Sequence, residues 1–352
     1  MSDIADTKRK TVLPALDLKT NMNHSPHVVI LGAGASKAAL PRGDANGKQI
    51  PVMAELIDCL GLSTTLQSHG IDSIGVDFEA LYDDLASSNK NPELVAEIER
   101  RVYDYFSCLV LPESATLYDY LVLGLREKDL IATFNWDPFL AQAWRRNSRV
   151  AKHPRIVFLH GNVEVAVCTE HRQKNFIGNK CPKCGKLMEP ARLLYPVKHK
   201  DYNSDPFIAS EWAELRHSLK YAYLLTIFGY AAPVTDVEAR ELMLSVWKEN
   251  PTFELAQIEI IDTKPQRKLE GTWADFFCRD HYGISKKLWQ SYLFWHPRRS
   301  CEAFAMATLQ NSPWPNNPFP RKRNLAKLQE WVRPLWFEEC EGKLSGKRCS
   351  SL

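Results

Sequence analysis

Short apolar runs that end in glycine or a polar residue recur along this chain, and stretches of helical period separate them. His27 to Leu31 is the first such run, and Gly-Ala-Gly-Ala-Ser at 32–36 follows it, which predicts a strand, a tight turn and a short helix through Leu40. Helices are then expected over Val52 to Leu60, Asp77 to Ala86, Pro92 to Cys108 and Thr116 to Arg126, since apolar residues there fall three and four apart. This helical stretch over 52–128 is long for a crossover between two strands and reads as an insertion. Alternation resumes with a strand at Leu130 to Phe134, a helix at Pro138 to Arg145 and a strand at Ile156 to Leu159. Beyond a compact polar insertion at 163–190, the pattern gives a helix at Phe207 to Leu219 and a strand at Tyr223 to Phe228. A helix at Val237 to Trp247 and a strand at Ile258 to Asp262 complete it. Such alternation predicts an α/β fold: a Rossmann-like, mainly parallel sheet with a helical insertion and a small zinc-ribbon-like module.

The ends of the chain read differently. Residues 1–25 are polar, carry Lys8-Arg9-Lys10 and are expected to be a flexible leader with no apolar signal core. Residues 266–352 form an aromatic-rich extension in which Asn311 to Arg323 holds four prolines, and the stretch from Gly342 is expected to fray. The extension could serve equally as an interface or as core. The 352 residues, 45% hydrophobic and 25% charged, suffice for a sizeable core. A net charge of +3 argues against nucleic acid as the main ligand, and no apolar stretch is long enough to span a membrane. The expected location is cytoplasmic.

Three predicted strand ends carry candidate chemistry. In a parallel sheet, ligands collect outside the carboxyl ends of the strands, so these ends can converge on one nucleotide. Gly32, Ala33, Gly34 and Ser36 form a turn able to approach a pyrophosphate at a helix N-terminus, although Lys37 stands where a dinucleotide fingerprint has its third glycine. The plainer alternative is a turn whose glycines serve packing. After Thr133 and Phe134 come Asn135 and Asp137, which alternation places on one side. Asp137 also suits an N-cap ahead of Pro138, which leaves Asn135 unexplained. His160 ends the next strand, where it can act as general base, and Gly161 after it is expected to leave a ligand room.

Nine cysteines are present, an odd number, and mostly scattered. Cys168-Thr-Glu-His171 and Cys181-Pro-Lys-Cys184 are two pairs of short spacing, nine residues apart, that can close a tetrahedral structural zinc site. His171 is the least secure ligand, and reduced cysteines beside an unrelated histidine are the alternative.

Taken in order, these pieces resemble the sirtuin superfamily over roughly residues 27–265. Gly-Ala-Gly-Ala-Ser is similar to the start of its NAD-binding sheet, and Thr133-Phe134-Asn135-Trp136-Asp137 to its Thr-Gln-Asn-x-Asp block. His160-Gly161 stands where the catalytic histidine falls, and the zinc module follows. Gly229 and Asp262 resemble the later strand ends that hold the ribose and adenine half of NAD. The resemblance implies NAD as substrate, Thr133 among the cofactor-binding residues, and a catalytic domain over 26–265. The deacylase signature Gly-Ile-Pro-Asp-Phe-Arg is absent, Leu40-Pro41-Arg42-Gly43-Asp44 standing in its place, and Phe134 replaces glutamine. These departures fit the divergent bacterial sirtuin-like NAD hydrolases of antiphage defence, in which this Asn and His carry the reaction.

The expected activity is therefore NAD glycohydrolase, with Asn135, His160 and Asp137 catalytic and with gating by a homo-oligomer or a protein partner from the same operon. NAD-dependent protein deacylation is one alternative. A module that senses NAD or ADP-ribose without turnover is the other.

Overall fold

The computed structural model describes residues 25–197, 202–232, 236–321, 323–342 and 344. The expected leader, apart from Ser25, and nearly all of the expected frayed end lie outside the described residues. In chain order the strands are β1 (His27–Leu31), β2 (Leu130–Thr133), β3 (Arg155–Phe158), β4 (Val165–Cys168), β5 (Gln173–Phe176), β6 (Glu189–Pro190), β7 (Leu224–Phe228), β8 (Gln257–Ile261) and β9 (Tyr282–Ser285). Six of them form one sheet of order β3-β2-β1-β7-β8-β9 with every pairing parallel. The chain builds outward from β1 in one direction and then returns to build from β7 in the other. The reversal falls between β1 and β7, and their carboxyl ends mark the edge at which sheets of this topology receive ligands. The register sharpens it: Leu31 pairs with both Thr133 and Phe228, and Thr133 with Phe158. Strands β3, β2, β1 and β7 thus stop level, and the residues after them share one rim.

Alternation along β1 assigns its faces. Val29 and Leu31 join a core with Phe78, Ile98 and Leu121 of the helical insertion. Val28 and Ile30 join a second core with Trp212, Met243 and Trp247. Both faces are covered, as the fully apolar strand requires.

The helices α1 (Ala33–Ala39), α2 (Leu56–Cys59), α3 (Ser63–Ser68), α4 (Phe78–Ser88), α5 (Pro92–Ser107) and α6 (Leu117–Gly124) lie between β1 and β2. Asp77 caps α4 by accepting from the Ala80 N–H at 3.1 Å, and Leu94, Ile98, Val102 and Phe106 form the buried stripe of α5. The single helix expected over Val52 to Leu60 is instead a turn of 3-10 helix at Met53–Glu55 followed by α2. Helix α3 was not expected: Gly61 and Gly70 bound it at positive φ, and its six residues are too few to show a period.

After β2 come α7 (Phe139–Asn147), α8 (Pro206–Lys220), α9 (Val237–Lys248), α10 (Gln266–Trp273), α11 (Tyr292–Trp295), α12 (Ser300–Leu309) and α13 (Leu325–Cys340). Strands β5, β4 and β6 form a separate antiparallel sheet over the 163–190 insertion. The aromatic-rich stretch beyond residue 265 supplies β9, the outer strand of the main sheet, and buries Trp273, Phe276 and Phe294. Arg298, 1% exposed, fastens α13 to the sheet domain. Its guanidinium donates to the Leu125 carbonyl at 2.9 Å and to Glu339 at 2.8 Å. No helix among the described residues is long and apolar enough to cross a membrane.

Candidate active site and metal centre

Gly32 N–H donates to the Phe228 carbonyl at 3.1 Å and Gly34 N–H to the Gly229 carbonyl at 3.0 Å, so the first turn is stitched to the end of β7. A Cβ on Gly34 would come within 2.9 Å of Gly229, and one on Gly229 within 2.2 Å of the Ala35 nitrogen. Gly229 also sits at φ +61°, which favours glycine. These glycines are accounted for by interlocked packing of two strand ends. Ala33 begins α1 beside them.

Ser36, at the buried side of α1, is the hub of a polar cluster. Its hydroxyl donates to Asp137 Oδ2 at 2.5 Å, receives Asn135 Nδ2 at 2.9 Å and lies 2.5 Å from the Tyr118 hydroxyl. Asn135 Nδ2 also reaches the Gly32 carbonyl at 3.0 Å and Tyr118 at 3.3 Å. Thr133 Oγ1 accepts from the Asn135 N–H at 3.0 Å and so fixes the turn that presents the amide. Burial pushes the Asp137 carboxyl up to about 6, against the hydrogen bonds from Ser36 and Phe139 N–H that favour its ionised form.

The capping expectation for Asp137 needs correction. Pro138 occupies the N-cap position and α7 starts at Phe139. Asp137 Oδ1 still accepts from the Phe139 N–H at 3.3 Å, but Oδ2 is turned to Ser36.

His160 follows β3 and is 7% exposed. Its ring meets Phe134 edge-on at 4.8 Å and lies nearly parallel to Tyr202 at 6.1 Å, while Nε2 is 3.8 Å from Asp236 Oδ1. Phe134 in turn stacks on Tyr230 at 4.2 Å, and the Tyr230 hydroxyl donates to Asp236 at 3.1 Å. Asn162, two residues on, donates to the backbone carbonyls of Asn135 at 3.2 Å and Asp137 at 2.6 Å, which ties the third strand end to the second. The expectation that Gly161 leaves a ligand room is overturned. A Cβ there would fall 2.0 Å from the Arg192 carbonyl, so the glycine admits the chain at 192–193. Asp262 follows β8 directly, its N–H bonded to the Ser285 carbonyl at 3.0 Å and its Oδ1 accepting from Lys264 N–H at 2.9 Å.

Ser36, Asn135 and Asp137 are therefore joined directly, and His160 is linked to them through Phe134 and Asn162. Tyr118, Tyr202, Tyr230 and Asp236 were not among the residues expected from sequence. Tyr118 on α6 and Tyr202 in the loop before α8 have no strand-end signature, whereas Tyr230 stands two residues past β7, the same offset as Asn135 from β2 and His160 from β3.

In the small sheet, Cys168, His171, Cys181 and Cys184 place their donor atoms within 4.8 Å of one another. Cys168 Sγ lies 3.6 Å from His171 Nδ1 and 3.9 Å from Cys184 Sγ. Tetrahedral zinc, with Zn–S of about 2.3 Å and Zn–N of about 2.0–2.1 Å, requires sulfurs about 3.8 Å apart and sulfur to nitrogen about 3.6 Å. The three thiols and one imidazole fit one structural zinc, with no ligand position left over for catalysis.

No protein-family model matches the chain. No curated protein matches it either. Among solved structures it is similar to a Sir2 homolog–NAD complex, with a TM-score of 0.41 and 14% identity over 84% of this chain and 93% of that one. It is also similar to Sir2 in complex with the inhibitor EX-527, 2'-O-acetyl-ADP-ribose and a deacetylated p53 peptide (TM-score 0.37, 16% identity, 84% and 99% of the two chains). A third likeness is to Sir2 bound to an acetylated peptide (TM-score 0.36, 14% identity, 85% and 100%). Identities and scores this low carry no residue roles from those proteins to this chain.

Proposed function

We propose that this protein is an NAD glycohydrolase that releases nicotinamide and ADP-ribose. One observation supports the reading above the others: Ser36, Asn135 and Asp137 form one buried, mutually bonded cluster just beyond the carboxyl ends of β1 and β2, the edge at which an open parallel sheet receives its ligand. The sequence resemblance to the sirtuin superfamily supplies the substrate, and the missing deacylase signature favours water over an acyl-lysine as acceptor.

Cleavage of the nicotinamide–ribose bond passes through an oxocarbenium-like state. Nicotinamide departs as a neutral molecule, so catalysis rests on positioning and on negative potential near the sugar carbon. Asn135 holds a ribose hydroxyl or the attacking water, and His160 accepts the proton that water releases. Asp137 orients the nicotinamide and supplies the nearby carboxylate. Gly32, Ala33, Gly34, Thr133, Gly229 and Asp262, at or just beyond the carboxyl ends of β1, β2, β7 and β8, are assigned to the rest of NAD. Asn135, Asp137 and His160 are each under a tenth exposed, so the shell around them must part for NAD to enter. That requirement suits an effector of antiphage defence held inactive until an oligomer or partner opens it.

Chromatographic assay of nicotinamide release from NAD tests the proposal, with and without an acyl-lysine peptide. Asn135→Ala and His160→Ala are each expected to lower turnover by roughly a hundredfold or more while the protein stays folded. Release that depends on the peptide would favour deacylation instead. Tight binding of NAD without turnover would favour a sensor.

A further inference from the structure

Tyr118 comes from α6 in the helical insertion, 82 residues from Ser36 in sequence, and is 1% exposed. Its hydroxyl lies 2.5 Å from Ser36 Oγ and 3.3 Å from Asn135 Nδ2. We propose that Tyr118 is a positioning residue for the reaction proposed above, locking the Asn135 amide so that it can only accept a hydrogen bond from substrate, and governing Asp137 through Ser36.

Counting donors carries the first half. The Gly32 carbonyl can only accept, so the Asn135 atom 3.0 Å from it is the NH2 nitrogen and the amide orientation is fixed. Its two N–H bonds are shared among Gly32, Ser36 and Tyr118. Among the described residues no hydrogen bond is made to Asn135 Oδ1. What Asn135 offers a ligand is therefore an acceptor, and its partner must be a donor: a ribose hydroxyl, a carboxamide N–H or the attacking water.

Proton bookkeeping carries the second. Ser36 has one hydroxyl proton and gives it to Asp137. Tyr118 must then donate to Ser36, so a directional chain runs Tyr118 to Ser36 to Asp137 and sustains the ionised carboxylate. The other ionisable groups on the surrounding elements are spoken for. Lys37 on α1 pairs with Glu55, and Asp119 on α6 is held by Arg146 and Asn147. On the loop after β3, His160 faces Phe134, Tyr202 and Asp236.

Tyr118→Phe removes the hydroxyl and keeps the packing. The expected result is kcat for NAD cleavage lower by roughly ten- to a hundredfold with KM within about threefold, as misplacement of a reacting group requires. The acid limb of the kcat/KM profile is also expected to move to higher pH, because Asp137 loses support for its charge. A merely structural tyrosine would not move that limb. The same shift is expected in the pH dependence of urea-induced unfolding, which needs no substrate. Ser36→Ala, which cuts the chain at its middle, should reproduce it even if the tyrosine variant does not fold. Profiles of Ser36→Ala or Tyr118→Phe that superimpose on wild type after a constant offset would overturn the proposal. A wild-type protein inactive on NAD under every condition would remove the glycohydrolase reading, and the unfolding profiles would still decide the coupling.

Discussion

Asp137 shows how much the environment of one side chain decides. A carboxyl whose folded-state value is raised is easier to protonate in the native protein than in the unfolded chain. It therefore contributes stability below its ordinary value of 3.8 that is lost as pH rises to about 6. The loss amounts to on the order of 3 kcal/mol, from a shift of about two units at roughly 1.4 kcal/mol each. Asp137→Asn keeps the shape without the charge. Compared with wild type by urea unfolding, it is expected to gain stability between pH 4 and pH 6 and to hold that gain above; a constant difference across that range would contradict the assignment. At this scale the sequence was informative where chemistry sits at a strand end. Ser36, Asn135 and Asp137 stand within six residues of β1 or β2, so alternation alone aims them together. Tyr118 was not legible, because it lies in a helix, Leu117–Gly124, every residue of which is buried, so nothing in the pattern singles out one tyrosine as facing the polar cluster. Gly161 was misread because a glycine at φ +76° says only that something is close, and here it is Arg192 and not a ligand.

Among the elements, the five strands expected in the main sheet fell within one residue of their observed bounds, and four of them, β1, β2, β7 and β8, are interior to the sheet and have to be apolar on both faces; β4, β5 and β6 of the insertion, at two to four residues each, were not placed. Helix ends were less legible. Val52 to Leu60 breaks into two pieces, and Pro138 sits one place earlier in its helix than expected. The 163–190 insertion was readable from ligand spacing alone, since two short pairs need only a fold-back to meet. Its three strands hold two to four residues each and bury few large side chains, so a zinc bound by the three thiols and His171 would contribute much of their order. One zinc per chain is expected by elemental analysis. Chelation should abolish the protection of residues 165–190 from hydrogen exchange while β1 and β7 keep theirs. A metal-free preparation with unchanged exchange there would rule out the site.

For the whole molecule, the alternation of strands and helices made the parallel character of the main sheet legible, whereas its order β3-β2-β1-β7-β8-β9 is set by tertiary packing. The sixth strand was not legible. Tyr282–Ser285 contains a glycine and is only half-buried, so nothing in its four residues announces a strand; pairing with β8 makes it one. Glu259 records the same dependence. Burial raises its carboxyl to about 7, and it accepts from the Tyr292 N–H at 2.8 Å, a group contributed from beyond that strand.

Anyone trimming the gene to residues 26–265 would meet this strand first. A fragment of residues 26–265 leaves Gln257–Ile261 with one flank bare, a strand with three isoleucines offering unmet amides to any neighbour. Such a fragment is expected to elute as aggregate on gel filtration, whereas a fragment of residues 25–342 elutes as a discrete species. Recovery of the shorter piece as a well-behaved monomer would mean that the sheet can close without its last strand.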